Sequence, residues 1–208
     1  EEPNLHLFFP EARAVVTPVT IMVPDVDPDR CTLCGDCARF CAFGALVAAK
    51  DRVLFFPEHC HSCGGCTIAC PVGAIAEIPR PIGTVTERAI TTSFRLVTGT
   101  LNEGEVLAVK VIQKAKDAAG SAAWVILDAS PGTSCPVVET LQGSDVCILV
   151  TESTPFGLHD LALAYDVTSQ MGIPSGVVIN RSDGKDEAAL RFCKEKKIPV
   201  LAVIPFER

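Results

Sequence analysis

CTLCGDCARFCAFGAL (residues 31–46) and CHSCGGCTIACPVGAI (residues 60–75) are two copies of one sixteen-residue pattern. Each copy holds four cysteines in the spacing C-x2-C-x2-C-x3-C, and each cysteine of the second copy lies 29 residues after its counterpart, as Cys31 and Cys60 show. The glycine after the second cysteine and the Gly-Ala pair near the end keep the same offset. The pattern is therefore an internal repeat.

This spacing is that of bacterial ferredoxins, which carry two 4Fe-4S clusters. Three cysteines, each two residues apart, let a tight loop wrap a cluster with its backbone N–H groups directed at the sulfur atoms. The fourth cysteine of each copy is expected to begin a helix and to bind the cluster of the other copy. Gly35, Gly64 and Gly65 allow close backbone approach and positive φ in these loops. The predicted ligands are Cys31, Cys34, Cys37 and Cys70 for the first cluster and Cys60, Cys63, Cys66 and Cys41 for the second.

Zinc and disulfides are the alternative uses of such cysteines. Pairs of C-x2-C can hold zinc, but each copy here offers a third and a fourth cysteine in the cluster spacing. An odd total of eleven cysteines, with no secretory leader, argues against a disulfide framework. Outside the repeat, Cys147 is expected to be a buried apolar residue and Cys193 incidental, whereas Cys135 lies in a glycine loop where a thiol could act. His59 and His61 are expected to be solvated loop residues.

Composition narrows the class of protein. The 208 residues, 48% of them hydrophobic, are enough for one medium or two small domains with a real core. A net charge of −7 without a basic stripe argues against a nucleic-acid partner. No apolar run approaches the roughly eighteen residues of a membrane-spanning helix. Thiols and oxygen-sensitive clusters indicate a reducing cytoplasm.

Three segments are predicted along the chain. Residues 1–20 and 84–208 belong to one α/β domain, and residues 21–83 form a ferredoxin domain inserted into it. Linkers rich in proline, VPDVDPDR (23–30) and IPRPIG (78–83), bound the insert. LHLFF near the start is expected to be a buried strand or a turn of helix, VLFF (53–56) a strand, and residues 85–99 extended structure.

Strands and helices are predicted to alternate after the insert. Short apolar runs at 123–129, 145–152, 176–181 and 199–205 indicate strands, and stretches at 102–119, 157–171 and 185–197 indicate helices. This alternation is typical of a parallel sheet covered by helices on both faces.

Ligands of open parallel sheets bind beyond the carboxyl ends of the strands. Asp128 ends a predicted strand and is placed to hold a Mg²⁺-bound water, and Gly132 of the Pro131-Gly132 turn could bring an N–H near a terminal phosphate. An ordinary strand-ending aspartate in a Pro-Gly turn is an equal alternative. Asn180, at the end of another strand, could contact an adenine edge. The sequence contains no G-x-x-x-x-G-K-[ST] loop, and Gly184-Lys185 is predicted to be a turn.

The whole set of motifs resembles the MinD/Mrp-type P-loop ATPases that carry an inserted ferredoxin domain. The motifs are EPNLHLFF, the two-cluster insert, G-x-L-N-x-G-E (99–105), D-x-x-PGTSCPV (128–137), TESTPFGLHDL (151–161) and GVVINR (176–181). The resemblance implies a parallel P-loop NTPase-like sheet, incomplete at both ends, whose phosphate loop precedes Glu1. It implies ATP and Mg²⁺ as ligands, with Asp128 near Mg²⁺, Pro131-Gly132 as a switch-like turn and Asn180-Arg181 at the base.

The expected function is ATP-coupled electron transfer to a redox partner protein, in a homodimer or a complex with a related ATPase. ATPase activity is expected only where the phosphate loop is present. Two alternatives stay open: an ATPase that assembles iron–sulfur or other metal cofactors, and a ferredoxin module of a larger complex without ATP chemistry. The first would hand a labile cluster to an acceptor, whereas a relay would keep both clusters.

Overall fold

The computed structural model describes residues 4–9, 13–120 and 122–207. It divides into two compact units, Glu1–Ala123 and Trp124–Arg208. Of the predicted first segment, residues 1–3 and 10–12 lie outside the described residues. LHLFF contains a 3-10 helix at Leu5–Phe8, which confirms a helical turn there. This turn is not buried, since Leu7 and Phe8 are 69% and 76% exposed.

The first unit is built on an antiparallel sheet with a helix packed against it. Its elements are β1 (Ala14–Val26), α1 (Asp36–Phe40), β2 (Leu46–Ala48), β3 (Val53–Phe55), α2 (Gly65–Ala69), β4 (Ile75–Ala89), β5 (Arg95–Leu101) and α3 (Ala108–Ala119). The sheet has the order β1-β4-β5, and β2 and β3 form a separate antiparallel pair. A further 3-10 helix spans Pro57–His59.

The core of this sheet explains why α3 packs where it does. Val19, Ile21 and Ile82 are buried together with Val111 of α3. The helix approaches closely because β5 has a glycine at the contact: a Cβ on Gly99 would lie 2.8 Å from Cγ1 of Val111. Strands rich in β-branched residues suit such a half-buried sheet.

The linker predicted at 78–83 and the first half of the one predicted at 23–30 are strand in the structure, whereas residues 28–30 form a turn. β1 includes residues 23–26 and β4 includes residues 78–83. Their prolines are tolerated where the two strands pair, at Pro24↔Glu77 and Met22↔Pro79, in a pairing with a bulge at Val19/Thr20. Since β1 crosses the boundary at 20/21 and β4 that at 83/84, the limits of an inserted domain stay a prediction.

The helix predicted at 102–119 is shorter than expected. Residues 102–105 form a turn in which Glu105 N donates to Asn102 O at 3.2 Å, and Gly104 has φ +80°. A residue in the left-handed region does not continue a right-handed helix, so α3 begins only at Ala108. The extended structure predicted at 85–99 is confirmed as β4 and β5, joined by a turn at residues 90–94.

The second unit contains a parallel sheet. Its elements are α4 (Cys135–Leu141), β6 (Cys147–Thr151), α5 (Pro155–Gln170), β7 (Ser175–Ser182), α6 (Glu187–Lys196) and β8 (Val200–Pro205), and the strand order is β6-β7-β8. The predicted strands at 145–152, 176–181 and 199–205 and both predicted helices are confirmed. The helix α4 was not expected, because its residues were interpreted as part of a glycine loop.

The expectation that helices cover both faces of this sheet is wrong for the described residues. Leu161 of α5 and Cys193 of α6 pack into the same core as Leu149 and Val177. Right-handed crossovers that progress in one direction place successive helices on the same face. The other face is open: Ile148 and Val150 of β6 are 58% and 64% exposed.

The strand predicted at 123–129 is not formed. Residues 122–130 contain no strand, and Trp124 and Ile126 are 90% and 94% exposed. An extended apolar run becomes a strand only where a neighbouring strand takes its hydrogen bonds. Among the described residues β6 pairs with β7 alone, so no such neighbour lies at the segment.

No helix in the described part of the chain is both long enough and apolar enough to cross a membrane.

Candidate iron–sulfur centre

The two repeat copies share one unusual backbone conformation. Left-handed φ angles occur at the same three positions of each copy, including one position that is not glycine in either copy. A duplicated loop shape, and not only a duplicated sequence, is therefore present. The pairs are Leu33 (56°) and Ser62 (54°), Gly35 (75°) and Gly64 (71°), and Gly44 (65°) and Gly73 (59°).

A short helix begins after the first of these glycines in each copy. Gly35 and Gly64 are the N-caps of α1 and α2, so Cys37 and Cys66 lie in the first turn of these helices. Cys41 and Cys70 are the C-caps. The expectation that the fourth cysteine begins a helix is therefore wrong: it ends one, because each five-residue helix contains the third cysteine and stops just before the fourth.

Backbone N–H groups point at the sulfur atoms. Ala45 N donates to Cys41 Sγ at 3.3 Å, and Ala74 N donates to Cys70 Sγ at 3.2 Å, at the same repeat position. In the second loop Ser62 N also donates to Cys60 Sγ at 3.5 Å. Such donors favour a thiolate over a thiol, which is the form that binds iron.

The cysteines differ in burial. Cys37 and Cys60 are 7% and 8% exposed, whereas Cys34 and Cys63, the second cysteines of the two copies, are exposed. The other four predicted ligands are half-buried. Each loop therefore has one sulfur at the surface and one in the interior.

Core packing brings together cysteines of different copies. Cys41 packs against the core group that contains Cys60. Cys70 packs against the group that contains Cys37, where Cys66 also lies. The fourth cysteine of each copy thus contacts the core around a cysteine of the other copy, which supports the predicted exchange of ligands.

Burial raises the pKa of two of the predicted ligand thiols, Cys37 and Cys66. Burial raises the pKa of Cys37, an effect reduced by the Ala38 N–H and reinforced by Cys31 and Cys34. Burial also raises the pKa of Cys66, against hydrogen bonds from Thr67. Metal binding is expected to displace the protons of these thiols.

The eight thiols of the repeat are the donor type that iron–sulfur clusters take. All eleven cysteines are free thiols, so no disulfide is formed. Within the described residues, no three His, Cys, Asp or Glu side chains lie close enough to hold a single metal ion. In a 4Fe-4S cluster each thiolate binds a different iron, so its ligands stand farther apart than the four ligands of one zinc ion.

Side chains around the second loop form a shallow cleft. Phe43, Glu58, His59, His61 and Val106 line an open space of about 390 Å³. The ring of His61 stacks on that of Phe43 with centroids 3.6 Å apart. His61 is therefore positioned by an aromatic contact, in addition to being exposed as expected.

Only some of the residues predicted to bind nucleotide lie where the prediction placed them. Asp128 is exposed and lies outside any strand, and Pro131-Gly132 lie in a bend where Gly132 has φ +101°. Asn180 and Arg181 lie at the carboxyl end of β7 as expected. Among the described residues, no hydrogen bond or ion pair links Asp128 to either of them.

The Arg181 side chain contacts Glu152 and Phe206. Its Nη1 donates to Glu152 Oε1 at 3.3 Å, its guanidinium carbon lies 5.0 Å from the centroid of the Phe206 ring, and its φ is +53°. These contacts link the carboxyl end of β7 to the residues that follow β6 and β8. Cys135 begins α4 and is exposed, Cys193 is buried, and burial raises the pKa of the half-buried Cys147.

Sequence reasoning missed Asp186, the residue that links two loops of the parallel sheet. Ser153 Oγ donates to its Oδ1 and Ser182 Oγ to its Oδ2. The Ser153 and Ser182 hydroxyls lower the pKa of Asp186. The predicted turn at Gly184-Lys185 is confirmed, with φ +85° at Gly184. The S-D-G-K-D motif indicated a turn but not its partner Ser153, which is 33 residues earlier.

Comparison with known proteins supports the cluster assignment. Residues 22–75 match a family described as a 4Fe-4S dicluster domain, and this domain is present in the chain. The chain is also similar to two uncharacterized proteins of Methanocaldococcus jannaschii, MJ0579 and MJ0578. It is 29% identical to each over 184 residues, which is 87% of this chain. These residues cover 66% and 64% of the two relatives, so the chain spans just under two thirds of their length.

Proposed function

We propose that this protein carries two 4Fe-4S clusters and relays electrons between them and a redox partner protein. The observation that carries the proposal is the duplicated loop geometry, in which left-handed residues, helices and N–H···S bonds recur at the same offset in both copies. The match to a 4Fe-4S dicluster domain supports it. A reducing cytoplasm suits such thiolates.

The ligands divide between the copies in this proposal. Cys31, Cys34 and Cys37 hold the first cluster with Cys70, and the equivalent cysteines of the second copy hold the second with Cys41. When bound, each cluster supplies one-electron redox chemistry. The chain contributes thiolates, backbone N–H groups that stabilise negative charge on sulfur, and an exposed sulfur at each loop, Cys34 and Cys63, as the edge nearest to a partner.

Anaerobic purification and variants that each replace one cysteine test how the ligands divide between the two clusters. We expect about eight iron atoms per chain and electron paramagnetic resonance (EPR) signals from two interacting clusters. Cys70→Ser should perturb the same cluster as Cys37→Ser, and Cys41→Ser the same cluster as Cys66→Ser. Cys193→Ser, a buried cysteine outside the repeat, is the matched control and should leave both signals intact. Colourless protein that binds zinc would overturn the proposal.

A finer part of the proposal concerns ATP. We infer that the second unit belongs to a MinD/Mrp-type P-loop domain. Asp128 would lie near Mg²⁺, Pro131-Gly132 near the γ-phosphate and Asn180-Arg181 near the base. The resemblance of the motifs supports this, as does the position of Asn180 and Arg181 at the carboxyl edge of a parallel sheet. ATP binding would then order the exposed Asp128 segment in a dimer or in a complex with a related ATPase.

Binding of labelled ATP to the full-length protein tests this part. We expect binding that depends on Mg²⁺ and weakens in Asp128→Asn, and an ATPase rate that differs between oxidised and reduced clusters. Lack of ATP binding would leave an electron-transfer module without ATP chemistry. Transfer of intact clusters to an apo-acceptor during turnover would favour a cofactor-assembly role over a relay.

A further inference from the structure

A partly buried ion pair joins β4 to the segment that precedes α3. Both Nη atoms of Arg80 donate to the carboxylate of Glu105, with Nη2 to Oε2 at 2.9 Å. The side chains are 25% and 12% exposed, so solvent screens this pair less than a surface pair. Arg80 Nε is buried and has no hydrogen-bond partner among the described atoms.

The cross-strand register places Arg80 on the same side of the sheet as the cysteine core. Arg80 pairs directly with Ile21 of β1. Residues directly opposite each other in an antiparallel pair project from the same face. Ile21 is 4% exposed and packs in the core group that contains Cys60. Arg80 therefore lies on the side of the sheet that faces Cys60.

Glu105 lies near the same core group but belongs to the segment that precedes α3. Leu107, two residues further on, packs against the core group of Cys60. Asn102, at the start of the same turn, donates its N–H to Ile82 O of β4 at 2.9 Å. The Glu105 hydrogen bonds raise the pKa of Arg80, and the nearby Cys60 and Glu58 charges act in the same direction.

Hydrogen bonds hold the second cysteine loop against β1 next to this site. Ser62 Oγ donates to Met22 O at 2.7 Å and accepts from Met22 N at 3.1 Å. Met22 is the neighbour of Ile21, the cross-strand partner of Arg80. The loop that contains Cys60 and Cys63 is thus fixed beside the ion pair.

The ion pair of the first cysteine loop is exposed: Arg39 pairs with Asp36 and donates to Cys34 O at 3.0 Å, and the two side chains are 69% and 40% exposed, so solvent screens this pair more than Arg80–Glu105. The repeat counterpart of Arg80, 29 residues earlier, is Asp51, which is exposed in the turn between β2 and β3. The two loops share backbone geometry but differ in the charge beside them. Nearly identical loops would otherwise give clusters of similar potential.

We propose that Arg80 and Glu105 set the reduction potential of the cluster bound by the second loop and so make the two clusters unequal. The proposal rests on the cluster assignment given above. Reduction adds one electron and breaks no bond. The added negative charge is stabilised by a nearby cation and destabilised by a nearby anion, most strongly where solvent is excluded. Arg80 and Glu105 are positioning residues in this role, since neither binds iron.

Removing each charge separately tests the proposal. In EPR-monitored titrations of the intact protein with dithionite, we expect Arg80→Gln to lower the midpoint potential of one cluster and Glu105→Gln to raise it. The double variant should fall between them, and Arg80→Lys should stay close to the wild type. Cys63→Ser identifies which signal belongs to the second loop.

Arg95→Gln is the matched control, because it breaks another Arg–Glu pair of the same sheet, Arg95 with Glu87 at 3.0 Å, beside the hairpin turn of β4 and β5. It should shift neither potential. The proposal is overturned if the two single variants shift the potential in the same direction, if both clusters shift equally, or if only stability changes. A protein without two clusters would instead contradict the proposed function, so the two failures are distinguishable.

Discussion

At the scale of single residues, conformations that most side chains avoid define the cysteine loops. Leu33 and Ser62 adopt left-handed φ without being glycine, at equivalent positions. Such a residue costs about 1–2 kcal/mol relative to its preferred conformation. Neither a helix nor a sheet requires this conformation. Its presence in both copies therefore indicates that the loops are shaped to wrap a ligand.

Gly64→Ala should destabilise the second loop. Gly64 has φ +71°, so alanine there would cost about 1 kcal/mol of folding free energy. We expect faster release of iron to a chelator, measured by the loss of visible absorbance. Gly104→Ala, at φ +80° with open space around its Cα, introduces the same strain outside the loops and should leave the release rate unchanged. Equal acceleration in both variants would contradict the prediction.

The lowered pKa of Asp186 predicts how the stability of the second unit changes with pH. In the folded protein the Asp186 carboxyl has its pKa lowered by hydroxyl groups of Ser153 and Ser182, below the unfolded value of about 3.9. Its contribution to stability is therefore present above about pH 4 and lost as the pH falls through the folded pKa. Asp186→Asn should lower the amide-exchange protection of α6 at pH 7, and the difference from wild type should shrink below pH 4.

Asp183→Asn is the control for this prediction. The Asp183 carboxylate accepts only a local N–H from Lys185, at 3.0 Å, and lies in an exposed turn. Its replacement should not alter the protection of α6. A difference between Asp186→Asn and wild type that grows on acidification would show that the sign is wrong.

At the scale of elements, hydrogen-bonded neighbours decide which apolar runs become strands. β7 is buried between β6 and β8, and its Val177 and Ile179 are fully buried. The run at 123–129 is also apolar, but within the part of the chain that the structure describes no strand lies beside it. The local sequence makes a segment able to form a strand, but the strand forms only where a neighbouring strand takes its hydrogen bonds.

The fluorescence of Trp124 can show whether residues 123–129 are exposed. Trp124 is the single tryptophan of the chain and is 90% exposed. We expect a fluorescence emission maximum close to that of indole in water and efficient quenching by iodide. A blue-shifted emission that iodide does not quench would show that residues 123–129 are covered, as the strand prediction required.

At the scale of the whole molecule, the chain has two units with separate cores. The core of the first includes Cys60, with Cys41 packed against it, so two of the proposed metal ligands also take part in core packing. The core of the second, around Leu149, Val177 and Ile179, includes no predicted ligand. The stability of the first unit is therefore expected to depend on metal, and that of the second to be independent of it.

Removing the iron with a chelator under anaerobic conditions tests this division. Amide exchange should accelerate in peptides from residues 31–75 and in the adjoining parts of β1 and β4, because the loops lose their ligand. Protection of β6, β7 and α6 should not change. Equal loss of protection in both units would show that they unfold together.

The cysteine spacing, repeated at one offset, was enough to predict the cluster loops, because few other ligands suit it and its glycines allow the turns. The strands β6 to β8 and the helices α5 and α6 could be predicted as well, because their periodicity is local. Contacts formed on folding place both helices on one face, leave residues 123–129 without a partner strand among the described residues, and bring Asp186 to Ser153. They also bring Glu105 to Arg80 beside Cys60. These features depend on contacts between residues distant in sequence, and such contacts leave no periodic or motif signal in one chain.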